Sequence, residues 1–538
     1  MMNYPLTTNS ILARAKMLYA RKEIISKDYS GMFRYNYAQF YGRTCRLANV
    51  LKGLGVQPGD RVATLAWNTH RHLELYFAIP GIGSVLHTLN LRLFQDQLIY
   101  IINHAEDSVI FVDQDLLPLL EAIKDKMSTV KHFVIMSDTT ELPQTSLSPV
   151  YSYEDLLAKA SPEFYFPQDL DEWSTAAMCY TTATTGDPKG VAYTHRAIFL
   201  HSMSCLTVDM MGLGERDTVM AVVPMFHANA WGMPFAATWT GSKQVYPGSR
   251  PDPQTLCQLI QDEKVTLTAG VPTIWMGILQ VAEKVKFDFS SVKAFICGGA
   301  AVPLALMKAY DEKLGIPIIH AYGMTETTPL VTLSKTKSYM DQWPIEDQYA
   351  VRVKQGVVAP GLEIKVVNES GEDLPHDGKA MGELVIRGPW IAGEYYKNPE
   401  KTRECMGDGW LHTNDIVTID GEGYISICDR TKDLIKSGGE WISSVDMENT
   451  IMAHPMVAEA AVIAMPHEKW DERPMACVVP KPEHRDSIRE EDIINFLAAK
   501  MAKWMLPDKV IFVDEIPKTS VGKFNKKELR FKYVQSGK

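Results

Sequence analysis

No two of the eight cysteines in this sequence form a Cys-x-x-Cys pair; they stand singly at 45, 179, 205, 257, 297, 405, 428 and 477. That argues against a zinc ribbon or a redox dithiol, and no disulfide framework is suggested. Reduced thiols in a cytoplasm are the expectation. Long apolar runs are also missing. The longest, Leu75–Leu86, is interrupted by Pro80 and is shorter than the roughly 20 residues that a spanning helix needs, so no integral membrane segment is expected. Met1–Ala20 carries Arg14 and Lys16 without an apolar core, so a secretory signal is not expected either. There is no domain-wide excess of base: 55 Lys and Arg face 65 Asp and Glu, a formal net charge of −10. That argues against nucleic acid as a partner. No internal repeat or low-complexity segment stands out.

What is present is the composition of an ordinary globular enzyme, 46% hydrophobic and 22% charged over 538 residues. Such a chain can bury a large core. At roughly 150 residues per domain it makes three or four units, fewer if α/β units are large. Ala38–Leu54 reads as a helix, with Phe40, Leu47, Val50, Leu51 and Leu54 near one face and Gly53 and Gly55 at its end. A strand is expected over Arg61–Ala66 and a helix over Arg71–Phe77. The same rhythm returns with short apolar runs at Ser108–Val112, His132–Met136, Thr218–Val223, Val265–Ala269, Val292–Cys297 and Pro317–Ile319. Helical patterns separate most of them, such as Leu304–Leu314 stopped at Gly315. The expected fold class is α/β, with parallel or mixed sheets covered by helices. Ligands would then sit where loops leave the carboxyl ends of strands. After Gly356 the texture changes to short alternating runs between glycine-rich turns, Glu363–Val367, Gly382–Arg387 and Gly423–Cys428. They read as a small β-rich subdomain over about 356–428.

One stretch is dense in phosphate chemistry. Tyr180–Val191 sets Thr181, Thr182, Thr184 and Thr185 beside Gly186, Lys189 and Gly190. Hydroxyls donate hydrogen bonds, glycines admit a ligand to the backbone, and lysine brings a point charge. It is not a Walker A loop, since the G-x-x-x-x-G-K-[ST] spacing is absent. An ordinary polar loop is the plainer reading. Further motifs follow strands. In Val223–Gly232, His227 and Trp231 stand four apart, one helical turn, so both could face one cavity; a buried Trp and a satisfied His are the plainer reading. Cys297–Pro303 offers small residues able to wall a flat ring or chain, or a tight turn and nothing more. In His320–Thr327, Tyr322 offers a stacking face, Thr325 a hydroxyl, and Glu326 an acid able to hold Mg2+ near phosphates. Trp410–Asp415 sets after a turn an acid that could accept both hydroxyls of a ribose, or simply stabilise the turn. Asp429–Trp441 packs charges around a double glycine, and Pro517–Lys523 presents Lys523 after a glycine in a tail with seven Lys or Arg between 518 and 538 against one acid, Glu528. Either could be a solvated face.

In this order and at these separations, the set resembles the adenylate-forming superfamily of acyl-CoA synthetases, firefly luciferase and peptide-synthetase adenylation domains. The resemblance covers roughly Tyr37 to Lys526. The Pro-Met-Phe-His-x-Asn-Ala-Trp-Gly and Lys-Ser-Gly-Gly-Glu-Trp-Ile-Ser runs look like its fatty acyl-CoA synthetase branch. That branch includes bacterial synthetases for medium or long chains and the ligase acting on 3-methylthiopropionate.

The resemblance implies an enzyme that adenylates a carboxylic acid with ATP, releases pyrophosphate, then passes the acyl group to CoA and releases AMP. It implies an N-terminal domain of residues 1–431 and a mobile α+β C-terminal domain of 432–538, hinged at Lys432. Thr181, Thr182, Thr184, Thr185, Gly186 and Lys189 would hold the ATP phosphates, with Thr181 and Glu326 positioning Mg2+. Gly299, Ala300, His320, Ala321 and Tyr322 would surround adenine, Gly323, Met324 and Thr325 would continue the nucleotide wall, and Asp415 and Arg430 would hold the ribose. Lys523 would meet the carboxylate and the α-phosphate. Lys436, Gly438, Gly439, Glu440 and Trp441 would form the CoA-side face. His227 would line the acyl–CoA junction and Trp231 would gate the acyl tunnel, with Gly299, Ala301 and Gly323 beside the acyl group. Relatives of this branch are often homodimers. Two departures stand out: Ala183 where the family has Gly, and Asn414 where Gly often precedes the ribose Asp. The rival readings are adenylation feeding a carrier protein or an oxygenase step, and a degenerate acyl- or nucleotide-binding protein prompted by Ala183. No carrier domain follows Lys538, which weighs against the first. Chain length stays open, with short or medium acids, 3-methylthiopropionate among them, favoured over a fatty acid.

Overall fold

The computed structural model describes residues 2–181, 187–437, 440–518 and 524–535, apart from the side chain of Glu440. Seven strands form one sheet in the order Val150–Ser152, His132–Met136, Asp107–Asp113, Arg61–Leu65, Val85–Thr88, Thr175–Tyr180 and Gly190–Thr194. All neighbours are parallel except the last pair. A nine-stranded sheet has a parallel middle, Ile318–Gly323, Ala294–Cys297, Leu267–Gly270, Thr218–Ala221, Lys243–Tyr246 and Glu23–Lys27, with antiparallel strands at both edges. The expected strand-then-helix rhythm is therefore a pair of large α/β sheets. The glycine-punctuated stretch forms a four-stranded antiparallel meander, Glu363–Val367, Gly382–Arg387, Leu411–Ile419 and Ile425–Arg430. A separate five-stranded sheet, with strands from Ile435 to Phe512, completes the α/β fold.

Local chemistry explains the helices that matter here. Tyr37–Gly53 starts at a reciprocal cap, in which Asn36 accepts from the Gln39 N–H and the Gln39 side chain accepts from Asn36 N–H. Phe40, Leu47 and Leu51 are fully buried along its inner face. Helix His70–Gly81 is buried on every side, so its polar groups need partners. Glu74 accepts from Arg43 at 2.7 Å and from the Tyr153 hydroxyl, and Arg71 donates to Glu154 at 2.9 Å. This helix runs through Pro80, which the sequence alone marks as a break; only one donor is lost, close to the helix end. The helix Leu304–Leu314 ends at Gly315 with φ 67°, the left-handed stop that glycine favours. Sequence periodicity missed helix Thr8–Tyr19 and strand Glu23–Lys27. Among the described residues no helix is long and apolar enough to cross a membrane, and all eight cysteines are unpaired and buried.

Candidate active site

A cavity of ≈ 810 Å³ lies where loops leave the carboxyl ends of strands from both large sheets. Trp67 and Asn68 follow Arg61–Leu65, Val222 follows Thr218–Ala221, and Gly298 follows Ala294–Cys297. One side chain ties the two sheets together at this point. Asn68 Nδ2 donates to the carbonyls of Ala221 (2.7 Å) and Val223 (2.8 Å), and its Oδ1 accepts from Met225 N–H (2.8 Å). Every hydrogen-bonding atom of the buried amide is thus used on backbone.

One part of the cavity suits a nucleotide. The edge of strand Ile318–Gly323 brings Ala321, Tyr322 and Gly323 into the lining, followed by Met324, Thr325 and Glu326. Tyr322 donates its hydroxyl to Asp415 at 2.7 Å, and Arg430 Nε forms an ion pair with the other Asp415 oxygen at 2.9 Å. Asp415 is only 3% exposed, whereas the Arg430 side chain keeps 46% of its surface. Asp415 therefore serves as a buried anchor, and Arg430 reaches into the cavity. The Asp415 charge raises the Arg430 pKa above its ordinary value, and burial with the same carboxylate pushes the Tyr322 phenol well up. The sequence alone placed Asp415 after a turn. It lies instead within strand Leu411–Ile419, where Asn414 takes φ 59°, a conformation that asparagine tolerates better than most residues.

Glu326 is 6% exposed and lines the same cavity. Its Oε1 accepts from the Tyr395 hydroxyl at 2.8 Å, and its other oxygen has no partner among the described residues. Burial, with Glu326 adding to it, pushes the Tyr395 phenol far up, so it remains a donor. Thr181 lines the same cavity. Its N–H donates to the Lys189 carbonyl at 2.9 Å and its Oγ1 accepts from Lys189 N–H at 3.2 Å, which closes the base of the threonine-rich loop. A carboxylate oxygen and a threonine hydroxyl on the wall of one cavity fit a hard cation that takes its remaining ligands from phosphate and water. Among the described residues there is no cluster of three or more His, Cys, Asp or Glu to form an all-protein cage.

His320 stands on the same strand, just before Ala321, and does not line the cavity itself. Its Nδ1–H donates to the Val353 carbonyl at 2.8 Å, and burial pulls its pKa down to about 4. The folded protein thus keeps His320 neutral where the unfolded chain, titrating near 6.5, takes a proton. Its contribution to stability is complete above pH 6.5 and is lost as pH falls towards 4. We expect it to be worth about 2 kcal/mol less at pH 5 than at pH 7. A His320→Gln variant should lose that part of the acid sensitivity, so its drop in melting temperature between pH 7 and 5 should be smaller. An equal drop in both proteins would refute the assignment.

The apolar wall contains a correction. His227 and Trp231 were expected one right-handed turn apart. The segment is left-handed instead: Ala228, Asn229, Ala230 and Trp231 have φ of 43°, 51°, 50° and 56°. For residues other than glycine each such position costs on the order of 1–3 kcal/mol, and strain of this kind clusters at functional sites. The turn still brings His227 and Trp231 into the cavity lining. It exits at Gly232, φ 74°, where an added Cβ would lie 2.5 Å from the His201 ring. Trp231 reaches the opposite wall at Gly298, where an added Cβ would meet its ring at 3.1 Å and the Ala321 carbonyl oxygen at 2.7 Å.

Of the other expected residues, Gly299 lines the cavity, whereas Ala300, Ala301 and Lys189 do not. The Lys189 ammonium lies over the Tyr395 ring at 5.1 Å. Lys436 and Trp441 pair across the hairpin of strands Ile435–Ser437 and Glu440–Ile442, cation over ring at 5.2 Å, outside the cavity lining. Lys432 lines it. Thr182, Ala183, Thr184, Thr185, Gly186, Gly438, Gly439, the Glu440 side chain and Lys523 lie outside the described residues. Phe524, next in the chain to Lys523, lines the cavity. Sequence reasoning passed over Asn68, Tyr395, Trp67 and Arg250. The only signal for Asn68 and Trp67 was their place after an apolar strand, and the Glu394-Tyr395-Tyr396 run carries no spacing that suggests a carboxylate partner.

Residues 14–396 match the AMP-binding enzyme family and residues 446–523 match the AMP-binding enzyme C-terminal domain. The chain is 47% identical to the long-chain-fatty-acid–CoA ligase of Thermus thermophilus, covering 99% of this chain and 96% of that one. It is 44% identical to the 3-methylmercaptopropionyl-CoA ligase of Ruegeria lacuscaerulensis, covering 98% of each. The structure is similar to that of ATP-bound MatB from Rhodopseudomonas palustris, with a TM-score of 0.84, 28% identity, and 99% and 100% of the two chains covered.

Proposed function

The chain belongs to the AMP-binding enzyme family and is an ATP-dependent acyl-CoA ligase, and from that premise we propose that it activates short- or medium-chain carboxylic acids, 3-methylthiopropionate among them. The observation that carries this reading is one cavity lined by Thr181, Glu326, Tyr322 and Arg430 together with His227 and Trp231. A nucleotide and an acyl group can therefore meet within it. In the first half-reaction the carboxylate attacks the α-phosphorus of ATP and pyrophosphate leaves. In the second, the CoA sulfur attacks the acyl carbon and AMP leaves.

The residues divide that work. Thr181 and the loop that follows it hold the phosphates, and Tyr322 faces the adenine. Asp415 and Arg430 take the ribose hydroxyls, and Asp415 fixes the other two side chains at once. Glu326, held by Tyr395, together with Thr181 would hold Mg2+, which supplies charge neutralisation for the departing pyrophosphate. Lys523 delivers an ammonium between two anions. The segment from Lys432 onward turns as a lobe about Lys432 against residues 1–431. That motion exchanges Lys523 for the face carrying Lys436 and Trp441. His227 lies at the junction of acyl group and thiol. Eight unpaired, buried cysteines suit a cytoplasmic enzyme, and a homodimer is the assembly we assign to it; sedimentation would test that assembly directly.

Trp231 carries the choice of acid. It is buried and reaches across to Gly298, so it limits the depth available to an acyl chain. In a series from propionate to dodecanoate with ATP, Mg2+ and CoA, AMP and thioester should form best with the shorter acids, and omission of Mg2+ should abolish both. Trp231→Ala should raise kcat/KM for the long acids relative to the short ones about tenfold or more. A folded protein that forms no AMP with any acid would sink the reading. An unchanged length profile in the variant would remove Trp231 from it.

A further inference from the structure

A second group of side chains lines the same cavity and makes no hydrogen bond or ion pair with Tyr322, Glu326, Asp415 or Arg430. Its members, Trp67 and Arg250, belong to loops that follow strands of different sheets, Arg61–Leu65 and Lys243–Tyr246. The Arg250 guanidinium lies over the Trp67 ring, 5.7 Å from its centre. The indole is held from behind. Its Nε1–H donates to Asp115 at 3.0 Å and its backbone N–H donates to the buried Asp113 at 2.7 Å. Asp115 is fixed in turn by the hydroxyls of Tyr29 (2.7 Å) and Ser249 (3.1 Å).

The loop that carries Arg250 has little freedom. Gly248 N–H donates to the Asn68 carbonyl at 3.0 Å, and an added Cβ at Gly248 would lie 2.1 Å from the Lys27 carbonyl oxygen. Arg250 itself is held at φ 43°, a left-handed conformation that long side chains seldom adopt. Despite that rigidity, Arg250 makes no hydrogen bond and no ion pair among the described residues. Arg430, by contrast, is matched by Asp415. A guanidinium stacked on an aromatic face keeps its N–H edge free for an anion. The Arg250 edge is a solvent-exposed donor array, without a protein hydrogen-bond partner among the described residues, at the wall of a substrate cavity in a chain of net charge −10.

Of the substrates of this reaction, ATP brings a triphosphate, for which Thr181, Lys189 and Glu326 are assigned. CoA brings a second anionic head, adenosine carrying a 3′-phosphate and a 5′-diphosphate, which must stay outside while its thiol reaches the acyl carbon. We infer that Arg250, backed by Trp67, binds a phosphate of that CoA head. The inference rests on CoA as the acyl acceptor, and its failure would leave that acceptor in place. The competing role for a free cation here is recognition of a second carboxylate on a dicarboxylic acid.

Pantetheine separates these roles, because it carries the thiol without the phosphorylated head. With the full-length enzyme and a saturating monocarboxylic acid, Arg250→Ala should raise the KM for CoA about 10- to 100-fold, as expected for loss of a charge-assisted hydrogen bond to phosphate, with kcat changed less than about threefold. The KM for pantetheine should be the same in both proteins, and Arg250→Lys should recover part of the loss for CoA. Comparison with 3′-dephospho-CoA tells which phosphate is bound: an unchanged ratio between variant and wild type for that substrate assigns the 5′-diphosphate, and a lost ratio assigns the 3′-phosphate. A KM for CoA within about twofold of wild type would overturn the proposal. So would an equal rise for pantetheine, or a gain of monocarboxylates over dicarboxylates as the main effect. Thioester formation by the wild-type enzyme tests the acceptor separately.

Discussion

Lys523→Ala is expected to slow the adenylation half-reaction by about 10²–10³-fold while thioester formation from supplied acyl-adenylate and CoA stays within a few-fold of wild type. The asymmetry follows from charge. A carboxylate and an ATP α-phosphate repel as they approach, and the pentacoordinate phosphorus gathers further negative charge. A fixed ammonium lowers that barrier most where water is excluded. Attack of the CoA sulfur on the acyl carbon brings no such encounter of two anions at phosphorus. Among the described residues, Lys518 and Phe524 pair as a short antiparallel bridge, and Phe524, next in sequence to Lys523, lines the cavity. Exchange of labelled pyrophosphate into ATP measures the first step, and a quenched assay of supplied adenylate measures the second. Equal loss in both would remove Lys523 from the proposed role. Lys523→Arg should retain part of the first step, because the charge survives while its position shifts.

Asp415→Ala should raise the KM for ATP by about 100-fold and lower the melting temperature. Two effects combine. The carboxylate would no longer accept the ribose hydroxyls, and hydrogen bonds to a charged group are worth about 1.5–3 kcal/mol. It would also release Tyr322 and Arg430, both of which it holds at hydrogen-bond distance. Tyr322 is buried, so its hydroxyl would lose its partner inside the protein, whereas Arg430 is half-exposed and can turn to water. The stability loss should therefore be about 1–3 kcal/mol, with the nucleotide effect larger. Tyr322→Phe is the control: it removes one of these bonds and leaves the Asp415–Arg430 pair intact, so its KM for ATP should rise by less. If Asp415→Ala bound ATP as tightly as wild type, Asp415 would be no more than a brace within the sheet.

Part of the cavity lining was legible because its residue pattern is local. Thr181, Tyr322 and Glu326, which line the cavity, stand in short polar runs after apolar stretches that were visible in the sequence. Helix Leu304–Leu314 was legible in full, since its apolar period and Gly315 stop lie within a dozen residues. Asn414, noted as standing where Gly often precedes the ribose Asp, adopts the left-handed backbone that glycine would favour. The strand around Asp415 was not legible. Its polar residues, His412, Thr413 and Asn414, look like a turn until Gly382–Arg387 supplies the neighbouring ladder. The left-handed turn from Ala228 to Trp231 was also hidden, because alanine and tryptophan do not choose such a backbone on their own; the surrounding packing imposes it.

By itself, the amino-acid sequence determined the α/β class, the order of the motifs and the kinds of chemical group at hand. Those depend on periodicity, glycine placement and composition, which act over a few residues. Only the tertiary structure decided which groups meet. Tyr322 and Asp415 bond across a separation of 93 residues, Glu326 and Tyr395 across 69, and Asn68 and Ala221 across 153. Such pairs form because two sheets and a meander pack their loop-bearing ends around one cavity. The burial that assembles them also keeps His320 neutral and Asp415 in place, and it leaves Arg250 stacked on Trp67 with its donors open.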